Sequence, residues 1–367
     1  MLEAISEAIK AEQFETADQL LQAFKVDQRD NPWIDYYGAR LAEARGEFAI
    51  AQDGYRQLIP LVNNPKLIAK LRQGLERLAK QLEEQTKQEQ AAQKLALEKV
   101  KNAASHQELG IFILESIHPE LKQTAAVNFA KIMQIDPYSA RLQLPSRSWR
   151  LYRTGNIEEL KFYVEKLQAV NIPCFCVPVR QLLDLTIKPV FYLSEIRPNP
   201  TLVYRVNKDE DAIFSFSWSE VSQRVEGLLP IFEECVEANA RGKMERKTKI
   251  QDYARICDLH LPNRQIIIRL CDRVYEFDEG IRMSSANGQR EITSNEQWNY
   301  LMNAFREQMS DKPSWTEFNP FAENAIDFKE LLKLIDPHTY FLRREESDWD
   351  RAFHLYSSLI FCRSLFS

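Results

Sequence analysis

Over residues 1–62 apolar side chains recur every three or four positions, the spacing of an amphipathic helix face. Comparing the chain with itself at an offset of 34 aligns Ala4 with Gly38, Ala8 with Ala42, Phe14 with Phe48, Ala17 with Ala51, Leu21 with Tyr55 and Phe24 with Leu58. This register predicts two helical hairpins, with small residues permitting close helix approach and larger ones building the facing apolar surface. From Lys66 the positions Leu71, Leu75, Leu78 and Leu82 draw a narrow stripe. It suits a capping helix, because a two-hairpin array needs its exposed apolar face covered. Residues 83–94, EEQTKQEQAAQK, are polar on nearly every face and predict that the first domain ends near residues 95–105.

Beyond Ser105 the pattern changes to short apolar runs alternating with amphipathic ones. Ile111–Leu114 reads as a buried strand, and Pro119 opens a helix carrying Leu121, Ala125, Phe129 and Met133. Ala140–Leu144 and Trp149–Tyr152 read as two strands, Gly155-Asn156 leads into a helix marked by Leu160, Phe162, Val164 and Leu167, and Ile172–Val179 as a last strand. That order predicts a ferredoxin-like α/β module. Strand-like runs at Val190–Leu193, Leu202–Tyr204 and Ile213–Trp218 extend the same sheet in this reading, followed by a helix from Ser219 through Phe232 and a basic link, RGKMERKTK, at 241–249. Ile250–Leu261 and Gln265–Phe277 flank Pro262-Asn263-Arg264 as a hairpin. Three helical faces close the chain: Trp298, Leu301, Met302 and Phe305; Phe328, Leu331, Leu332 and Ile335; Phe353, Tyr356, Leu359 and Ile360. The fold class expected is a multidomain α+β protein with domains at 1–104, 105–240 and 241–367, the last a mixed α/β region.

Within the N-terminal repeat, Trp33, Tyr37, Gly38, Leu41, Gly46, Phe48, Ala51, Tyr55 and Leu58 follow the order of large, small and aromatic positions that resembles the tetratricopeptide repeat family, with Pro32 and Pro65 at the unit boundaries. One residue too many separates Gly38 from Gly46, and Glu12 stands where the first unit's turn glycine belongs. The resemblance covers residues 1–62 and implies an inner groove that holds a peptide or a partner domain. Tyr36 and Arg40, one helical turn apart, are the expected contact residues, the ring by burial and the guanidinium by pairing with a carboxylate. The competing assignment puts Tyr36 in the hairpin core and Arg40 in solvent.

Composition narrows the remaining classes. At 367 residues the chain exceeds one ordinary core, and 44% hydrophobic with 28% charged residues is a folded composition. A formal charge of −5 gives no general attraction to nucleic acid or anionic membrane. The acidic start of the chain, the lack of an apolar run of membrane length and six scattered cysteines lead to the expectation of a cytoplasmic protein with free thiols and no membrane insertion.

Candidate chemistry is sparse. Arg141, Arg147, Trp149, Arg150, Tyr152 and Arg153 mix guanidinium groups with aromatic rings, the set an RNA-binding sheet uses to hold phosphates and stack bases. Alternation sets against this by placing Trp149 with Leu151 on one side and Arg150 with Tyr152 on the other. Cys174 and Cys176 share a strand face, and Cys257, His260 and Cys271 superficially suggest zinc, but each set lacks a convincing full complement of ligands. Asp336-Pro337-His338 reads as a turn with a surface imidazole. No phosphate-binding glycine loop, HExxH or nucleophile elbow is present. The function expected is therefore a non-enzymatic adaptor or regulatory scaffold that binds a protein partner through its helical repeats and needs no cofactor, with RNA-binding regulation and an unfamiliar enzyme as the alternatives.

Overall fold

The computed structural model describes all residues except 1, 28–30, 104–107, 208–209, 239–243, 282–292, 340, 342, 344–346 and 366–367. The chain divides into two compact units, Met1–Lys99 and Val100–Ser367.

The first unit is built from α1 (Leu2–Lys10), α2 (Phe14–Asp27), α3 (Pro32–Ala44), α4 (Phe48–Leu58) and all but the last four residues of the long α5 (Pro65–Ala103). The 34-residue register is visible in its core: Ala8 and Ala42, Ala17 and Ala51, Leu21 and Tyr55, and Phe24 and Leu58 are all buried. Asn31 caps α3 by accepting from the Trp33 amide, and Asn64 accepts in the same way from the Lys66 amide. The start of α5 thus stands near where the first helix of a third unit would begin, with Leu67, Leu71 and Leu78 fully buried, Leu75 partly so, and Leu82, the last position of the expected stripe, exposed. Glu12 adopts a left-handed backbone (φ 58°), as does its counterpart Gly46 (φ 81°). The first turn therefore has the shape the second needs, without the residue that takes it at no steric cost.

In the second unit, β1 (Leu109–Leu114), α6 (Lys122–Met133), α7 (Pro137–Gln143), β2 (Arg150–Asn156), α8 (Ile157–Gln168) and β3 (Cys174–Pro178) form a three-stranded sheet of order β2-β1-β3 with its helices. The middle strand β1 is antiparallel to both neighbours, so β2 and β3 run parallel and α8 crosses between them. This corrects the four-stranded ferredoxin-like order: Ala140–Leu144 is not a strand, because Pro137 opens a helix whose cap, Asp136, accepts from the Ser139 amide. Phe112 and Leu114 pack under α6 and α8, and Ile111 and Ile113 enter a second core on the other face.

After α9 (Val179–Leu183), the strands β4 (Thr186–Glu195), β5 (Thr201–Asn207), β6 (Glu210–Ser215), β7 (Gln223–Ala238), β8 (Met244–Leu261) and β9 (Ile266–Cys271) build a separate sheet. They are followed by α10 (Ser294–Gln308), β10 (Ser314–Trp315), α11 (Phe318–Ala325), α12 (Lys329–Leu332) and α13 (Asp348–Leu365). The strand order is β10-β7-β8-β9-β4-β5-β6. The runs from Val190 to Trp218 therefore do not extend the first sheet. The helix expected over Ser219–Phe232 is β7 after a single 3-10 turn at Trp218–Glu220. Its apolar residues alternate: Val225 and Leu229 are buried and Leu228 is 41% exposed. Gly227 lies on the buried face, where a Cβ would come within 2.8 Å of the Phe318 and Phe353 rings. Of the basic run, residues 244–249 belong to β8, with Lys249 opposite Glu233 and Thr248 opposite Glu234; residues 241–243 lie outside the described residues. The Pro262-Asn263-Arg264 hairpin forms, with its second arm ending at Cys271 rather than Phe277, and so does the helical face of Trp298–Phe305; Phe353–Ile360 lies in a helix that is buried on every side.

The boundary expected at 240/241 falls between β7 and β8, which pair from Gln223–His260 out to Ala238–Met244. One core joins the outer face of the small sheet, the β7–β8 face and α11–α13. A polypeptide of residues 108–367 should show a single sharp calorimetric transition, whereas 108–240, which loses the partner of β7 and the helices covering both sheets, should show none.

Candidate docking site

Two faces of α3 are chemically different. Tyr36 lies on the buried one, 6% exposed, with its ring centroid 5.7 Å from Trp33, 5.1 Å from Tyr37 and 6.1 Å from Tyr55. Lys70 of α5 sits over the Trp33 and Tyr36 rings at 5.3 and 5.9 Å. Arg40, on the same side, is half-buried and donates to Glu43 at 3.3 Å. Tyr36 is a core residue, and Arg40 already has a carboxylate within its own helix.

Glu43 is the polar centre of this face. Its carboxylate accepts from the Tyr55 hydroxyl at 2.5 Å and from Arg77 of α5 at 3.1 and 3.3 Å. Burial alone would raise its pKa; the hydrogen bonds from Arg77 and Tyr55, together with the Arg40 charge, hold it below the usual carboxylate value. Tyr55 is shifted upward by burial and by the same carboxylate. Sequence patterning missed Glu43 because its counterpart 34 residues earlier is the apolar Ile9, so the repeat conceals the site.

The opposite face of α3 lines a groove with α2 and α4 that encloses about 530 Å³. Its floor is Gly38, Ala39 and Gly54. Gly38 and its register partner Ala4 are exposed, so the smallness of these positions does not serve helix contact as expected. A Cβ at Gly38 would meet nothing within 4 Å. The rim carries Ile50 and Leu61, 62% and 77% exposed, beside Lys25, Asp18 and Asp35. Asp18 pairs with Arg45 at 3.3 Å, and Asp35 makes no ion pair among the described residues. Residues 1–62 hold eleven acidic and six basic side chains, a formal charge of −5 equal to that of the whole chain.

The six residues assigned to nucleic-acid contact do not form one surface. Trp149 is buried, its ring 4.9 Å from Phe175, 5.2 Å from Trp315 and 6.2 Å from Tyr356. Tyr152 packs on the other face of the small sheet against Phe112 and Phe129. Arg153 pairs with Glu159 at 3.0 Å and lies over the Tyr163 ring, Arg150 donates to the Leu142 carbonyl, and Arg141 and Arg147 are exposed on α7 and on the link before β2. Each aromatic ring is engaged within the protein.

Cys174 and Cys176 share the helix-covered face of β3, and all six cysteines are free thiols. Cys257 packs in the core beneath α10, whereas His260 and Cys271 point through the opposite face of the sheet, so the three do not converge. His260 Nε2 lies 2.9 Å from Ser357 Oγ, with Gln223 Nε2 3.1 Å from its other ring nitrogen. Both His260 and Ser357 are fully buried, and burial lowers the histidine pKa to about 4. Among the described residues no helix is long and apolar enough to cross a membrane. No family model, curated protein or solved structure matches the chain.

Tyr36→Ala should cost about 3 to 5 kcal/mol, the usual range for emptying a buried ring site, and Arg40→Glu much less. Hydrogen exchange of the α3 amides in the full chain distinguishes the two. The depressed Glu43 pKa also sets a pH window. Its stabilisation is complete above the ordinary carboxylate value of about 4.3 and is lost as pH falls toward the folded-state value. The difference in α3 protection between wild type and Glu43→Gln should therefore shrink on acidification below that point.

Proposed function

We propose that this chain is an adaptor whose first unit is a tetratricopeptide-like pair of hairpins holding a short segment of a protein partner in the groove over Gly38. The observation that carries this reading is the open glycine floor between the exposed apolar side chains Ile50 and Leu61. An apolar anchor of the partner would sit above Gly38, and burying one such side chain contributes roughly 1.5 to 3 kcal/mol. Asp35, which makes no ion pair among the described residues, and the acidic balance of residues 1–62 favour a segment bearing Lys or Arg beside that anchor. Tyr36 and Arg40 support the site from behind, by fixing the α3–α5 face, and do not touch the partner. The role is binding, with no catalytic step assigned to it.

Full-length protein should enrich basic segments with one large apolar residue from a random peptide display. Gly38→Trp, which fills open space, should abolish that enrichment while leaving helix content unchanged, and Asp35→Lys should weaken it by tenfold or more. Enrichment of acidic segments, or capture indifferent to Gly38→Trp, would exclude the groove as the docking site.

A further inference from the structure

A second concavity lies wholly within the second unit, between β4, β5, β9 and the segment Pro337–Thr339, and encloses about 600 Å³. That volume falls in the range of roughly 300 to 1,000 Å³ typical of small-molecule pockets. Ile187, Pro189, Phe191, Val206 and Val274 make most of its wall apolar. The polar groups are Arg205, Arg269, His338 and Thr339, and no carboxylate lines it among the described residues.

These polar groups carry a definite charge. Arg269 is 2% exposed and forms a bidentate pair with the fully buried Asp258 at 2.9 and 2.7 Å, so its charge is already balanced. Its Nη1 donates to the Pro337 carbonyl at 2.6 Å, and its Nη2 lies 3.4 Å from His354 Nδ1. Of the five guanidinium N–H groups, the second on Nη1 has no acceptor among the described residues. Burial, opposed by Asp336 and Asp258 and reinforced by Arg269, lowers the His338 pKa, which favours the neutral imidazole. The net cation of the wall is thus Arg205, whose guanidinium lies 3.9 Å over the Phe191 ring. Its ion pair with Asp211, at 3.3 Å, is half exposed on both sides and contributes little, so a ligand anion can compete for it.

We propose that this cavity binds a small amphipathic carboxylate, with the apolar body against Ile187, Phe191 and Val274 and the carboxylate between Arg205 and the His338–Thr339 edge. One net positive charge matches a monoanion better than a doubly charged phosphate. Cys271 in the wall does not make this a covalent site, since burial pushes its thiol up to about 12. The segment that closes the cavity is held in shape: His338 has a left-handed backbone (φ 49°), its amide donates to Asp336, and the Pro337 carbonyl accepts from both Arg269 and the Thr339 hydroxyl. Such strain persists only where the surroundings impose it.

Calorimetric titration of the full-length protein with octanoate and 4-phenylbutyrate tests the proposal, each compared with its primary amide and with octyl phosphate. At least one carboxylate should bind, at least tenfold more tightly than its amide and more tightly than the phosphate. Arg205→Gln, an exposed change, should remove the preference over the amide. Val206→Trp, at a position 53% exposed, should abolish binding by filling the cavity. Circular dichroism confirms that both variants fold. Absence of binding by both carboxylates, equal binding of acid and amide, tighter binding of the phosphate, or binding unaffected by Val206→Trp would each overturn the proposal.

Discussion

A helix with scarcely an exposed face must find a partner for every polar group it carries, and α13 is such a helix. From Ala352 to Cys362 every residue is buried, as is Asp350. An unpaired polar group in such surroundings costs several kcal/mol, so the contacts are obligatory. Asp350 pairs with Arg343, His354 lies between Arg269 and Ser358, and Ser357 meets His260. His260 in turn contacts Gln223, which accepts from the Trp315 indole and donates to the Ile360 carbonyl. Apolar packing alone would tolerate a slide of the helix more readily than this network does. Removing one partner from a buried pair costs about 3 to 5 kcal/mol.

The rest of the second unit follows from that placement. Tyr356 reaches Trp149 at the edge of the small sheet, while Ser357 and Phe361 contact His260 of the large one, so a single helix ties both sheets to one core. Arg363 adds an ion pair with Glu115, just beyond β1. The Arg269–Asp258 pair bridges β8 and β9 and, through the Pro337 carbonyl, shapes the segment that walls the cavity. One guanidinium thus ties two strands of the sheet to the wall of the cavity.

The first unit is organised differently. Its apolar core repeats at 34 residues, but its polar centre, Glu43 with Tyr55 and Arg77, occurs once and joins α3 and α4 to the capping helix. Anchoring one face of α3 in this way leaves the other free to carry a groove with a glycine floor. The acidic excess is confined to the hairpins of residues 1–62, because the capping helix that follows them is net basic.

By itself the sequence determined the helical hairpins, the capping stripe through Leu71, Leu75 and Leu78 but not the exposed Leu82, the Pro262–Arg264 turn and the buried face of α10, because each rests on local periodicity or on a cap within one turn. It also contained the Asp136-Pro137 signal that makes Ala140–Gln143 helical, beside a short apolar run that suits a strand. Other features depended on partners distant in the chain. Leu228–Phe232 is strand because Met244–Leu261 pairs with it, and Trp149 is core because Trp315 and Tyr356 close over it. Tyr36 is buried because α5 covers it. Only tertiary structure decided these, since a side chain's exposure is set by what packs against it, and spacing along one segment does not reveal that neighbour.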